Sequence, residues 1–188
     1  LVINPATPAQ AGPYLVVVSN LYGSATSGVA RLEVLTAPLI VDDLTNQVAT
    51  NGDTVQLSLT ATGSAPLLYQ WYFNATNSLP DGTNATLVLS NVTPAQAGSY
   101  LATVSNAYGS ATSAVAQVTV LVPAQITSGP VDVAVSNGLS AQFTVSAQGT
   151  DPLGYQWFFQ GSALAGATDT SLVINPATPA QAGPYLVV

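Results

Sequence analysis

The chain has 188 residues, of which one is basic and eight are acidic, so 5% of its residues are charged, against about 25% in typical globular proteins. It contains no His and no Cys, and its one basic residue is Arg31, so most acid–base, nucleophilic and zinc chemistry lacks the side chains it needs. One positive charge also excludes neutralisation of a nucleic-acid backbone. A hydrophobic content of 48% argues against disorder, and no apolar run approaches the roughly 18 residues of a membrane-spanning helix. We therefore expect a folded, non-catalytic chain with no cofactor, no metal, no nucleic-acid partner and no membrane span.

Short segments that alternate apolar and polar residues, separated by Gly, Pro, Asn and Asp, indicate β-strands along the chain. In the central part the predicted strands are Val55–Ala61, Tyr69–Phe73, Leu87–Leu89, Tyr100–Val104 and Ala114–Val120. Turn residues lie at 51–53 and 79–82. Thr93–Gly98 has the capping Thr, the early Pro and the final Gly of a single helical turn. This pattern predicts antiparallel β-sandwiches.

An internal repeat is the strongest signal in the sequence. Residues 1–17 recur without a change at residues 172–188, and residues 87–120 match residues 1–34 at 22 of 34 positions. Trp71 and Trp157, each in a YQW motif, lie 86 residues apart. A unit of this size fits one β-sandwich, which typically needs about 100 residues. We expect one module used in series within a longer protein.

The order of the motifs carries a family resemblance. An apolar strand is followed by YQW at 69–71, by an AGSY corner at 97–100, and by SNAYGSATS at 105–113. This order resembles the immunoglobulin superfamily, in particular the cysteine-free immunoglobulin-like repeats of large bacterial surface and secreted proteins. The resemblance implies an all-β chain of tandem immunoglobulin-like antiparallel β-sandwiches, with strands lettered A to G in chain order.

The resemblance also implies a set of core residues. Trp71 and Trp157 match the tryptophan of strand C. The tyrosine of the corner before strand F is matched at three positions, Tyr14, Tyr100 and Tyr185. The two half-cystine positions of the family hold apolar residues, Leu59 with Ala102 and Val145 with Val187 or its copy Val16. An apolar pair is therefore expected in place of each disulfide.

The same resemblance divides the chain into three parts. Residues 1–36 match strands E to G of one domain, residues 37–121 a complete domain, and residues 122–188 strands A to F of a third. The strand G absent from the third would be a copy of Thr26–Val34. Either the continuing chain or a neighbouring molecule supplies it. The 17-residue overlap favours the continuing chain, because donation by a separate molecule would make one copy redundant.

Three surface features are candidate sites. Asp42 and Asp43 offer carboxylates for calcium, although adjacent strand residues point to opposite faces. Asn74, Asn84 and Asn91 open N-glycosylation sequons, and chance matches are expected in a chain this rich in Asn and Thr. The aromatic residues predicted to make surface contacts are Tyr22, Tyr108, Tyr72 and Phe158.

Our leading functional hypothesis is structural. The chain is expected to be a segment of an extracellular fibre, stalk or surface appendage whose partners are adjacent repeats and neighbouring chains, because charge-poor surfaces tend to associate. One alternative is an adhesin or carbohydrate-binding module, with Tyr72, Phe73, Tyr108 and Phe158 as the glycan contacts. The other is a spacer within a large secreted enzyme.

Overall fold

The computed structural model describes residues 1–188, which divide into two compact units, Leu1–Thr119 and Val120–Val188. Regular structure consists of β-strands and three short 3-10 turns at Pro8–Gln10, Pro94–Gln96 and Pro179–Gln181. None of these helical turns has the length or the apolar character needed to span a membrane. The prediction of an all-β chain is confirmed.

The three 3-10 turns share one capping arrangement. In each, the backbone N–H of the Thr before the turn donates to the side-chain oxygen of the Gln that ends it, at 2.8 Å in Thr7–Gln10, 3.0 Å in Thr93–Gln96 and 2.9 Å in Thr178–Gln181. A Pro follows the Thr, where its fixed φ suits the start of a helical turn. The helical turn predicted at Thr93–Gly98 is therefore present, as a 3-10 turn rather than an α-helical one.

The strands of residues 1–36 form two antiparallel pairs. The strands are β1 (Gly12–Tyr14), β2 (Val17–Asn20), β3 (Gly23–Thr26) and β4 (Ala30–Leu32). β1 pairs antiparallel with β4, and β2 pairs with β3. The strand E expected at the start of this part is not formed, because Leu1–Ile3 has no strand to pair with.

Residues 37–121 contain a complete two-sheet sandwich. Its strands are β5 (Leu39–Asp42), β6 (Gln47–Thr50), β7 (Val55–Ser58), β8 (Thr60–Thr62), β9 (Leu68–Phe73), β10 (Asn77–Ser78), β11 (Thr86–Leu89), β12 (Gly98–Asn106), β13 (Gly109–Thr112) and β14 (Ala116–Leu121). One sheet has the order β10-β9-β12-β14-β6, with β13 also paired to β12. The opposing layer consists of the pairs β5-β8 and β7-β11.

The core of this sandwich follows the two-residue alternation of its strands. Every second residue of β7 and β14 is buried, as are Tyr100, Ala102 and Val104 in the middle of β12. Burial of such apolar side chains supplies the main driving force for folding, at about 25 cal/mol per Å² of apolar surface. The largest side chains removed completely from solvent, or nearly so, are Trp71, Leu57, Val92 and Val104.

The second unit repeats this plan with fewer strands. They are β15 (Gln125–Ser128), β16 (Ala141–Thr144), β17 (Ser146–Gln148), β18 (Trp157–Phe159), β19 (Ser162–Ala163), β20 (Ser171–Ile174) and β21 (Tyr185–Val187). β15 pairs with β17, β16 with β20, and β18 lies between β19 and β21. Its core centres on Val145, Trp157 and Val187, against which Phe143 and Leu172 pack.

Candidate functional site

Each tryptophan is fully buried and is fixed by the same polar contacts. The indole N–H of Trp71 donates to the carbonyl of Asn84, and that of Trp157 to the carbonyl of Asp169, both at 2.8 Å. Beside them, the Gln70 amide donates to the carbonyls of Trp71 and Leu79 at 2.9 and 2.8 Å. A buried indole that finds its hydrogen-bond partner inside the domain is a packing residue and not a sugar-stacking platform.

The positions that hold cysteines in related domains are filled by small and aliphatic side chains. Leu59, Ala102, Val145 and Val187 are all buried, and Val145 and Val187 lie in one cluster with Trp157. Within each unit, apolar packing therefore takes the place of the disulfide at these positions.

The corner tyrosines share one hydrogen bond but differ in burial. The hydroxyl of each donates to a Gln carbonyl four residues earlier, at 2.8 Å in Tyr100, 2.8 Å in Tyr185 and 2.6 Å in Tyr14. Only Tyr100 is fully buried, and its ring packs on Phe73 at 5.0 Å between centroids. Tyr14 and Tyr185 are partly buried, which corrects the expectation that all three lie in the core. Tyr14 has no strand like β9 beside it, and Tyr185 has none like β14.

The predicted surface aromatics do not form one face. Tyr22 and Tyr108 lie in equivalent turns and are 95% and 49% exposed, whereas Tyr72 and Phe158 are half-buried within sheets. Tyr72 pairs with Leu101, but Tyr108 follows the far end of β12 at Asn106. Leu101 and Asn106 lie roughly 17 Å apart along β12, at about 3.4 Å per residue, so Tyr72 and Tyr108 lie near different parts of that strand. Phe73, the fourth residue of the glycan hypothesis, faces Tyr100.

The acidic pair has a structural role in the complete domain. The Asp43 carboxylate accepts the backbone N–H of Ala114 at 2.9 and 3.0 Å and that of its neighbour Leu44 at 2.8 Å. Asn46 accepts the N–H of Gln117 in the same way at 2.8 Å. Both side chains hold the segment between β5 and β6 against the start of β14. No group of three acidic side chains is assembled into a metal-binding cluster.

Two further polar residues were missed by sequence reasoning. The Asn106 amide donates to the carbonyls of Thr36 and Ser64, both at 2.8 Å. It thereby connects the segment before β5 to the loop between β8 and β9. The buried Ser113 hydroxyl accepts the N–H of Ala102 at 2.9 Å and donates to the Ala114 carbonyl at 2.7 Å. Both residues recur in the repeated segments SNLYGSATS at 19–27 and SNAYGSATS at 105–113, and this recurrence could have identified them from the sequence.

The three sequon asparagines are exposed. Asn74 and Asn91 occupy left-handed backbone conformations, with φ of 49° and 53°, which Asn tolerates better than most residues. The Asn74 side chain also accepts the N–H of Ser99 at 3.2 Å. Turn geometry therefore accounts for two of the three asparagines.

Comparison with known proteins points to one domain family. Residues 38–106 match the model of the immunoglobulin domain family. The chain is 27% identical over 169 residues to human Roundabout homolog 3 and 27% identical over 161 residues to the human cell adhesion molecule DSCAM. These alignments cover 87% and 79% of the chain but only 12% and 8% of the relatives, so the chain spans about a tenth of their length.

Solved structures agree on the fold. The I67–I69 fragment of titin superposes with a TM-score of 0.74 at 22% identity, covering 97% of this chain and 70% of that fragment. Sidekick-1 immunoglobulin domains 1–4 superpose with a TM-score of 0.60 at 22% identity, covering 97% of this chain and 55% of that one. Residues 38–106 thus match the immunoglobulin domain model, and the chain has the fold of tandem immunoglobulin-like β-sandwiches.

Proposed function

We propose that the chain is a segment of an extracellular structural protein in which immunoglobulin-like domains recur in series and pack with neighbouring chains into a fibre, stalk or surface appendage. The domains we propose are residues 1–36, 37–121 and 122–188. The role is non-catalytic, and the partners are other repeats of the same kind.

One observation carries this proposal: the complete domain presents aliphatic side chains to solvent on several strands. Val48 of β6, Val88 of β11 and Val115 before β14 are each more than half exposed. With nine charged residues in the whole chain, few ions need to be desolvated when such surfaces meet. Exposed apolar patches of this kind typically mark protein contacts, and charged residues are depleted at the cores of interfaces.

The relatives support a role of this class. DSCAM is a cell adhesion molecule, and the titin and Sidekick-1 fragments carry similar domains in series. These relatives are animal proteins, so membership of a bacterial family of repeats stays a prediction from the sequence.

Electron microscopy of the native material tests the fibre directly. We expect filaments with a regular axial repeat that corresponds to two domains, because the sequence alternates between two versions of the unit. Discrete globular particles without such a repeat would rule out the filament.

A variant chain tests the exposed valines. Val48→Lys with Val88→Lys places two charges on the outer faces, and we expect it to lower self-association measured by sedimentation at matched concentration. Thr54→Lys, at an exposed turn position, is the control and should associate as the wild type does. Equal association of all three proteins would remove these surfaces from the proposal.

A second candidate is adhesion through the exposed turn tyrosines. Tyr22 and Tyr108 occupy the same position of two repeats and point an aromatic ring toward solvent, as a glycan-binding residue would. A glycan array compares the wild type with the Tyr22→Ala, Tyr108→Ala double variant. If the wild type binds glycans and this variant does not, the result favours an adhesin. If the wild type binds no glycan on the array, the result counts against adhesion through glycans.

A further inference from the structure

The chain enters the complete domain through a linker that is fixed by both backbone polar groups of Thr36. Ser64, in the loop between β8 and β9, accepts the N–H of Thr36 with its hydroxyl at 3.0 Å. The backbone N–H of Ser64 donates in return to the Thr36 carbonyl at 3.2 Å. One loop residue thus satisfies both backbone groups of Thr36, much as a partner in an antiparallel strand would.

Asn106, the last residue of β12, adds two more hydrogen bonds to this contact. Its amide donates to the Thr36 and Ser64 carbonyls, both at 2.8 Å, and all three residues are partly buried. The Asn106 side-chain oxygen accepts the N–H of Tyr108 at 2.8 Å. Both ends of this amide therefore have partners, and a polar network that is satisfied in this way holds its members rigidly.

A glycine lets the loop come this close to the linker. A Cβ added at Gly63 would lie 3.0 Å from the Pro38 Cα and 3.1 Å from the Ala37 carbonyl oxygen. Both are backbone atoms, which cannot move aside as the end of a flexible side chain can. Pro38 is itself buried, and its ring fixes its φ angle. The linker residues 36–38 therefore have little conformational freedom.

The second unit has the same arrangement 86 residues further along the chain. The Thr150 hydroxyl accepts the N–H of Val122 at 2.7 Å, and the Thr150 N–H donates to the Val122 carbonyl at 2.8 Å. A Cβ added at Gly149 would lie 3.0 Å from the Ala124 Cα. The linker residue changes from Thr to Val between the two units, whereas the glycine and the hydroxyl that follows it are present in both. The recurring feature is therefore the pair of backbone hydrogen bonds and not a linker side chain.

We propose that Ser64 and Asn106 form an entry latch that immobilises the linker residues Thr36–Pro38 on the complete domain. Thr150 forms the corresponding latch on Val122. A hinge needs residues that can absorb large changes of φ and ψ, and residues whose backbone groups are bonded in this way cannot do so. The latched linker is therefore a stiff connection and not a flexible one. This proposal rests on contacts within each unit and not on the proposed fibre.

Backbone amide relaxation of the full chain, measured by NMR, tests the latch. We expect order parameters of about 0.85 at Thr36, Ala37 and Val122, the value of a rigid backbone, whereas flexible segments fall below about 0.6. Wild-type values in the flexible range at these three residues would overturn the proposal.

Asn106→Asp removes part of the latch with little other change. The carboxylate still accepts the N–H of Tyr108 but has no amide to donate to the two carbonyls. We expect the Ser64 amide to exchange its hydrogen about tenfold faster and the order parameter of Ala37 to fall toward about 0.6. Wild-type values of both quantities in this variant would overturn the role of Asn106.

Asn20→Asp is the matched control for this variant. Asn20 accepts the N–H of Tyr22 at 2.8 Å in the equivalent turn of residues 1–36, and it takes no part in the latch. The same substitution there should leave the Ser64 exchange rate and the Ala37 order parameter at their wild-type values. Equal changes in both variants would mean that a general effect of the added charge, and not the latch, is responsible.

The second unit provides an independent test if Asn106→Asp does not fold, which the indole N–H signal of Trp71 would report. Thr150→Val removes the hydroxyl and keeps a branched side chain, and we expect the order parameter of Val122 to fall. Thr144→Val, at an exposed strand position, is the control and should leave it unchanged. An unchanged Val122 in Thr150→Val would overturn the latch in this unit. Filaments together with mobile linker residues would contradict the latch but not the fibre, and rigid linker residues without filaments would do the reverse.

Discussion

Asp43 holds the backbone N–H of Ala114 with both of its carboxylate oxygens, at 2.9 and 3.0 Å. The two residues are 71 positions apart, so this one side chain joins the segment that follows the first strand of the complete domain to the segment that precedes its last strand. The sequence offered Asp43 as a calcium ligand, whereas in the structure its carboxylate accepts the N–H of Ala114, a residue outside the strands, just before β14.

The first prediction follows from this contact. Asp43→Ala should destabilise the complete domain by about 1 kcal/mol, since hydrogen bonds to charged groups contribute more than neutral ones but this carboxylate is solvent-exposed. The neighbouring Asp42→Ala is the matched control and should stay within about 0.5 kcal/mol of the wild type. Urea denaturation followed by tryptophan fluorescence measures both. Calcium or EDTA should leave the unfolding midpoint unchanged, and a calcium-dependent midpoint would contradict this assignment.

The second prediction concerns Gly82, which packs directly on Trp71. A Cβ added at Gly82 would lie 2.7 Å from the Trp71 Cβ, which neither backbone can relieve without moving. Gly82→Ala should therefore cost about 1–3 kcal/mol, as overpacked cores do. Gly154→Ala is the control, because its Cβ would meet no atom within 4 Å. Equal stability of the two variants would show that the turn before β11 yields more easily than the packing implies.

The third prediction concerns the buried hydroxyl of Ser113. Ser113→Ala leaves the N–H of Ala102 without its acceptor inside the sheet, which should cost about 1–3 kcal/mol. Ser110→Ala, at an exposed position of the same hairpin, should be nearly neutral. Equilibrium unfolding compares the two, and hydrogen exchange at Ala102 reports the lost bond directly. An unchanged exchange rate at Ala102 would mean that another acceptor replaces the hydroxyl.

The fourth prediction concerns alkaline pH. Burial raises the pKa of the Tyr100 phenol above its ordinary value of about 10. The unfolded chain then loses this proton before the folded chain does, so the stability contributed by neutral Tyr100 is complete below about pH 10 and is lost as pH rises toward the folded-state pKa. Urea midpoints measured from pH 7 to 11 should fall above pH 10.

Tyr100→Phe is the matching variant for this titration. It should be less stable at neutral pH, because it loses the hydrogen bond to the Gln96 carbonyl, but its stability should fall less steeply above pH 10. Burial also raises the pKa of Tyr185, so some alkaline sensitivity remains. Parallel profiles for the wild type and the variant would exclude Tyr100 as the source.

The fifth prediction concerns salt. If chains associate through uncharged surfaces, 1 M NaCl has little electrostatic attraction to screen, and assemblies should persist at neutral pH. Light scattering across a salt series measures this. Dissociation by salt would show that the few acidic residues and Arg31 carry the contacts.

Much of the architecture could be read from local pattern. Two-residue alternation located β7, β9, β11, β12 and β14 of the complete domain, but it joined β8 to β7 and did not find β5, β6, β10 or β13. The YQW and AGSY motifs located Trp71 and Tyr100, because side chains in these positions repeat with every module. The roles of Asp43, Asn106 and Ser113 could not be read in this way. Each of these side chains bonds to a backbone group at least eleven residues away in the sequence. The local pattern does not indicate which backbone N–H or carbonyl groups will have no hydrogen-bond partner within a sheet.

The repeated segment shows most clearly which features depend on local sequence and which depend on strand pairing. Residues 1–17 and 172–188 are identical, and both form the capped 3-10 turn with its tyrosine hydrogen bond, since these contacts lie within four residues. Leu172–Ile174 is a strand because β16 pairs with it, whereas Leu1–Ile3 is not. Gly12–Pro13 lies in a strand because β4 pairs with it, whereas Gly183–Pro184 does not. Composition and local spacing thus fix the turns and the alternation of each module. Which edges become strands depends on the neighbour that satisfies their backbone hydrogen bonds.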